Sequence, residues 1–182
     1  MLVPGEDALD GLVESDLLSR IPPSISFAPG PLHRLDRNTS GLIFFSKSLE
    51  GARRFSEALR TGNTRKTYLA VLERLLTRTR TWADELERQR AEKITGLAAG
   101  TERGKQAVTR VEPVAWADTR TLCRILIATG RTHQIRAQAA AHGHPLAGDL
   151  KYGGAKFPGG HILHARRFEL PGELDLTAPL LY

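Results

Sequence analysis

The stretch PLHRLDRNTSGL, residues 31–42, sets one carboxylate, Asp36, among His33, Arg34 and Arg37. Nearby positive charge favours an ionised carboxylate. A carboxylate held in that form suits a nucleophile or an electrostatic stabiliser and argues against a general acid. The same pattern also describes a loop aspartate that ties down arginines, and the local residues leave both readings open. A second chemically capable segment is ATGRTHQIRAQ, with Arg131 at a helix start and Arg136 one turn on. Guanidinium groups at a helix N-terminus, where amides also favour anions, can hold phosphate or pair with a carboxylate. Tyr68 lies mid-strand in KTYLAV, as a core aromatic or as a flat face for a ligand.

Other candidates are weaker. Five of the six histidines fall between residues 133 and 164, but they lack the helical-turn spacing and extra ligand of a zinc site, so no metal is expected. Ser40 in TSGL is outside any G-x-S-x-G elbow. GDLKYGGAKFPGG matches no phosphate-cradling glycine motif and reads as a glycine-rich surface loop. Cys123, the single cysteine, sits in the apolar run TLCRILIA and reads as a buried, inert thiol. A lone cysteine excludes an internal disulfide.

The elements that must position these residues follow from periodicity. DALDGLVESDLLSR spaces Leu9, Leu12, Val13, Leu17 and Leu18 as a helix does, within an otherwise loop-rich stretch, residues 1–30. GLIFFSK reads as a buried strand, and SLEGARRFSEALR as a helix capped by Ser48, with Leu49, Ala52, Phe55, Ala58 and Leu59 turned to the core. RKTYLAVLE is a strand covered on both faces. Residues 74–105 are the most polar and least periodic part and read as a long excursion with one short helix. QAVTRVEPVAWADTRTLCRILIATG is an antiparallel hairpin turning at WAD, and RTHQIRAQAAAHG a helix with Thr132 as N-cap and Gly143 past its end. HILHARRFEL and LDLTAPL are further strands. Strands in runs, with helices inserted singly, point to an α+β fold around a largely antiparallel sheet.

The chain of 182 residues carries a net charge of +6. Glu6, Asp7, Asp10, Glu14 and Asp16 oppose only Arg20 in residues 1–30, which leaves +10 for residues 31–182. Twenty of the 26 basic residues are arginine, the side chain best suited to phosphate contacts and base stacking. No apolar run approaches the ~20 residues of a membrane span, and MLVPGEDALDG has no signal-peptide character. A cytoplasmic protein without a membrane partner is expected.

Taken in order, HRLDRNTSGLIFFSK, RKTYLAVL, TGRTHQIRAQAAAHGHPLAGDLKYGG and LHARRFEL resemble the RluA-type RNA pseudouridine synthases, including those that modify large-subunit ribosomal RNA. The resemblance covers residues 31–182, taken as the catalytic domain. It implies the α+β pseudouridine synthase fold, a mixed, largely antiparallel sheet flanked by helices. The implied reaction isomerises uridine to pseudouridine, with no cofactor and with RNA as partner, ribosomal RNA ahead of transfer RNA. Asp36 matches the family's catalytic aspartate, Tyr68 its active-site tyrosine, and Arg136 the basic residue that pairs with the aspartate. Arg34 matches an arginine that fills the space left by the flipped nucleotide, and Arg37, His33, Arg131 and His133 are expected on the RNA. The family's upstream strand and Lys-Pro-x-Gly element find no match in residues 1–30, so that segment is expected to be truncated relative to the family. A rival reading follows from that gap: a catalytically impaired RNA-binding or ribosome-assembly protein with the same fold. Gln138 stands where the family usually has histidine.

Overall fold

The computed structural model describes residues 9–21, 27–89, 94–98, 100 and 104–180. The chain divides into two compact units. The smaller takes in residues up to Leu35 together with Ile43–Asn63. It contains helix α1 (Leu9–Leu18), the short strands β1 (Gly30–Pro31) and β3 (Phe45–Ser46), and helix α2 (Leu49–Thr61). Ser48 caps α2 as its side chain predicts, accepting the Gly51 N–H, and Gly62 ends it in the left-handed conformation. Phe55 and Ala58 are buried as expected, whereas Leu49 at the helix start is exposed.

The larger unit takes in Asp36–Leu42 and Thr64–Tyr182. Its eight-stranded sheet runs β10 (Leu174–Thr177), β9 (Leu163–Leu170), β4 (Arg65–Glu73), β8 (Arg120–Ile127), β7 (Lys105–Ala117), β5 (Arg80–Gln89), β6 (Ile94–Leu97), with β2 (Thr39–Gly41) added beside β9. Every pairing is antiparallel except β2 with β9. The α+β expectation therefore holds, and the sheet is mixed through one strand. The β7–β8 hairpin turns at Asp118, whose φ of 52° supplies the left-handed backbone a tight hairpin needs. Helix α3 (Gln134–Ala141) packs on β5, β6 and β7. The core gathers Ala70, Leu72, Trp82, Val111, Ile125, Ile135 and Leu146, with Cys123 fully buried among them. Burial pushes the Cys123 thiol up to about 12, consistent with an inert side chain.

Two sequence expectations need correction. Residues 74–105 are more ordered than read: the described part holds β5 and β6, with 90–93, 99 and 101–103 outside the described residues. β5 buries Trp82 and Leu86 on a face they share with the charged Arg80, Asp84 and Arg88, so the two buried side chains sit in a polar run that hides the alternation. GLIFFSK is not one buried strand. Only Gly41 and Phe45–Ser46 in that region lie in strands, and they pair with different partners, β2 with β9 and β3 with β1.

Candidate active site

Asp36 is the first residue of the loop that enters β2, and the residues after it fasten that loop to β9. The Thr39 N–H donates to the Asp36 carbonyl at 2.9 Å. The Thr39 and Ser40 hydroxyls hydrogen-bond His161 Nε2 at 3.1 Å and His164 Nδ1 at 2.9 Å. Gly41 follows with φ 107°, and a Cβ there would overlap the Ala165 carbonyl. Only glycine lets the TSG strand lie this close to β9.

Arg136 reaches Asp36 from α3. Its Nη1–H donates to Asp36 Oδ2 at 3.0 Å, while Nε and Nη2 donate to the two oxygens of Asp149 at 2.7 and 2.8 Å. The guanidinium is 9% exposed and Asp149 1%, against 18% for Asp36. The bidentate, charge-assisted bonds to Asp149 are the strong geometry for a guanidinium. They hold the Arg136 plane fixed and leave one Nη for Asp36. These two carboxylates also raise the affinity of Arg136 for its proton against the opposing effect of burial. The ring of Tyr152 lies under the same guanidinium, 4.9 Å from its centroid.

Asp149 was not singled out from the sequence, and the glycine-rich segment that carries it is only partly the surface loop expected. Residues 146–149 are buried. The Ala147 N–H donates to the Val71 carbonyl, and Leu146 bridges Leu72 of β4. A Cβ on Gly148 would overlap the Gly160 carbonyl, so glycine is needed to fold this loop beneath Arg136. The legible signal was an aspartate and a tyrosine among glycines in GDLKYGG.

Tyr68 sits on β4 opposite Ile125 of β8 and Ala165 of β9, just after a register shift at Thr67/Tyr68. The shift leaves Arg166 of β9 unopposed, so the bulge lies on β9 beside Tyr68. Burial first, and the charge of Asp36 second, push the Tyr68 phenol up to about 12. It stays protonated at neutral pH.

His133 Nε2 lies 3.7 Å from Asp36 Oδ1, beyond hydrogen-bond range. The Thr95 N–H donates to Tyr152 Oη at 2.9 Å, and Tyr152 Oη meets His133 Nδ1 at 2.8 Å. Where the Tyr152 hydroxyl donates to Nδ1, neutral His133 carries its proton on Nε2, toward Asp36. Burial lowers the His133 pKa, with the charge of Asp36 opposing.

The expected Thr132 cap is absent. His133 occupies the N-cap position with φ 52° and makes no side-chain capping bond. Gln134 ties down the turn instead: its Oε1 accepts from the Arg131 N–H and the Thr129 hydroxyl, and its Nε2 donates to Thr109 Oγ1 and the Val108 carbonyl. One turn on, Gln138 is fully buried. It accepts from Thr109 Oγ1 at 2.6 Å and its amide faces Asp84 Oδ2 at 2.6 Å. Two amides on one helix face thus seat α3 on β5 and β7 and set Arg136 toward Asp36.

Four candidates remain. Arg131 is exposed, its Nε–H donating to the Gln106 carbonyl, and Arg37 is exposed on the Asp36 loop. His33 and Arg34 belong to the smaller unit. There Arg34 is exposed, and His33 accepts the Phe44 N–H on Nε2 while stacking near Phe44 and Phe55.

Comparison with known proteins places the chain in a family. A family model described as RNA pseudouridylate synthase matches residues 1–141, and so takes in the N-terminal segment that the motifs left out. A ribosomal large subunit pseudouridine synthase D from Xylella fastidiosa is 36% identical over 162 residues, covering 86% of this chain and 47% of that protein. The protein of the same name from Escherichia coli is 37% identical over 157 residues, 85% of this chain and 47% of that protein. This chain therefore spans about half the length of these curated relatives. The solved structure of human RNA pseudouridylate synthase domain containing 1 superposes with a TM-score of 0.73 at 25% identity, covering 82% of this chain and 68% of that one.

Proposed function

This chain belongs to the RNA pseudouridylate synthase family, and from that premise we propose that it isomerises uridine to pseudouridine in RNA, with Asp36 as the essential carboxylate. Large-subunit ribosomal RNA is the substrate that the names of its relatives favour, and a cytoplasmic setting goes with that substrate. The observation that carries the reading is the asymmetry of Asp36. Oδ2 is held by Arg136 at 3.0 Å. Oδ1 has no hydrogen bond from any described residue, and His133 Nε2 stands 3.7 Å from it. One oxygen is fixed and the other is left to react.

The reaction breaks the N1–C1′ bond, turns the uracil while it stays bound, and rejoins it through C5, after which C5 loses a proton and N1 gains one. Asp36 Oδ1 either bonds to C1′ or takes the C2′ proton, and both routes need a charged oxygen directed at the sugar. Arg136 holds the carboxylate in place, with Asp149 holding Arg136. Tyr68, protonated at neutral pH, offers a ring face and an O–H to the uracil. A base inside a helical stack is out of reach, so the nucleotide is extruded at a cost of a few kcal/mol. Arg34 is assigned to the vacated stack, and Arg37, His33, Arg131 and His133 to the RNA around it.

Asp36→Asn keeps the shape of the side chain and removes its charge. Purified variant and wild type are incubated with unmodified ribosomal RNA, and pseudouridine is mapped by carbodiimide-induced reverse-transcription stops. The expected outcome is no pseudouridine from the variant with RNA binding retained. A variant that modifies RNA at near the wild-type rate overturns the assignment.

A further inference from the structure

A cleft of about 860 Å³ opens between the β5–β6 hairpin and the loop that leads into α3. Arg88 from β5, Lys105 at the start of β7 and Arg131 before α3 line it, with Glu87 as the one carboxylate among the described lining residues. Lys66 on β4 lies behind its wall, its Nζ 3.5 Å from where a Cβ on Gly130 would stand. Burial first and the charge of Arg131 second depress the Lys66 pKa. Among the described residues, none of Arg88, Lys105 and Arg131 forms an ion pair with a carboxylate. Thr95, 4% exposed, also lines the cleft, beside Tyr152.

Three exposed cations converging on one polar cleft call for a compact, repeated anion rather than an apolar ligand. The cleft is also joined to Asp36. Thr95, in its wall, donates through its N–H to Tyr152, Tyr152 meets His133, and His133 faces Asp36 Oδ1. We infer that this cleft seats backbone phosphates of the RNA strand next to the target nucleotide, with Arg88, Lys105 and Arg131 as the phosphate contacts. The inference rests on the RNA-modifying function proposed above and adds the path of the strand as it leaves Asp36. A strand held here fixes the register of the nucleotide at Asp36 through contacts that carry no base identity.

Counterion release supplies the test, because each phosphate contact contributes about 0.7 to 0.9 to the slope of log affinity against log salt. Binding of a ribosomal RNA fragment is titrated with salt for wild type, for the triple variant Arg88→Gln/Lys105→Gln/Arg131→Gln, and for a charge-matched triple, Arg78→Gln/Arg124→Gln/Lys156→Gln. Thermal melts check that both triples fold. The cleft triple is expected to flatten the slope by about 2 to 3, and the matched triple to flatten it by less than one. Equal flattening by the two triples, or an unchanged slope in the cleft triple, overturns the cleft, as does a wild type that binds no RNA. Wild-type pseudouridine formation is measured on the same RNA. An inactive wild type whose cleft triple still loses slope refutes the proposed activity alone, and an active wild type whose cleft triple keeps its slope refutes the cleft alone.

Discussion

Arg131 and Arg136 share the segment TGRTHQIR, and the fold treats them in opposite ways. Arg136 is withdrawn to 9% exposure and surrounded by two carboxylates and an aromatic ring. Arg131 stays exposed beside other cations. The difference follows from solvation: a guanidinium leaves water only where paired carboxylates replace its hydration, at a desolvation cost of several kcal/mol per ion. Arg136 is therefore committed inward, as a rigid handle on Asp36. Arg131, left in water without a counter-charge, can still exchange small ions for phosphate. One is held against Asp36 and the other stays open to solvent.

The comparison breaks most visibly at Asp149. Asp149→Asn leaves Arg136 buried with half its compensation, and loss of one partner of a buried pair costs about 3 to 5 kcal/mol. A urea melt should show that loss, with the slope m unchanged. If Asp149→Asn is as stable as wild type, the inward commitment of Arg136 is wrong. The double variant Arg136→Met/Asp149→Leu removes both charges and should recover a large part of the loss, although pseudouridine formation should fall with Arg136 gone. Recovery measured by the same melt separates a charge left unpaired from packing lost.

A pH series sharpens the comparison further. Burial depresses His133, His161 and His164. The unfolded chain binds protons that these folded imidazoles refuse, so stability is fully present above the ordinary value of 6.5 and falls as pH drops below it. Tyr68 acts at the other end. Its phenol, raised from 10 to about 12, contributes stability that is present below pH 10 and lost between 10 and 12. Burial raises Tyr152 as well, so near-UV phenolate absorbance should show late ionisation from both tyrosines, and Tyr68→Phe should remove the part that titrates near 12. The smallest effect belongs to Arg131→Ala, expected to change stability by less than about 0.5 kcal/mol, as exposed substitutions do. A larger loss in the melt would show that Arg131 is structural after all.

The sequence was most informative where local chemistry and periodicity agree. Ser48 and Gly62 bound α2 as their side chains require, WAD turns the β7–β8 hairpin, and the apolar faces of RKTYLAVLE place Tyr68 in a covered strand. The resemblance supplied Asp36 and Arg136, and the structure sets them 3.0 Å apart. Reading failed where order depends on a distant partner. β5 and β6 are strands because β7 pairs with β5 and β5 in turn with β6, and their one-sided burial is diluted by charge. His133 takes the N-cap position because Gln134 ties that turn to β7, which no capping preference foretells.

What the sequence determined by itself is the set of chemical groups: a carboxylate amid cations, a tyrosine on a covered strand, and an arginine-rich helix start. Composition and short-range spacing suffice for that, since charge, capping and alternation act over a few residues. Tertiary structure alone decided which arginine is buried and which oxygen of Asp36 is free. It also brought Asp149, Tyr152 and Thr95 to the site from segments that look like surface loop or polar excursion. These are contacts between residues far apart in the chain. Their stability comes from shared burial and paired charge, which no local pattern contains.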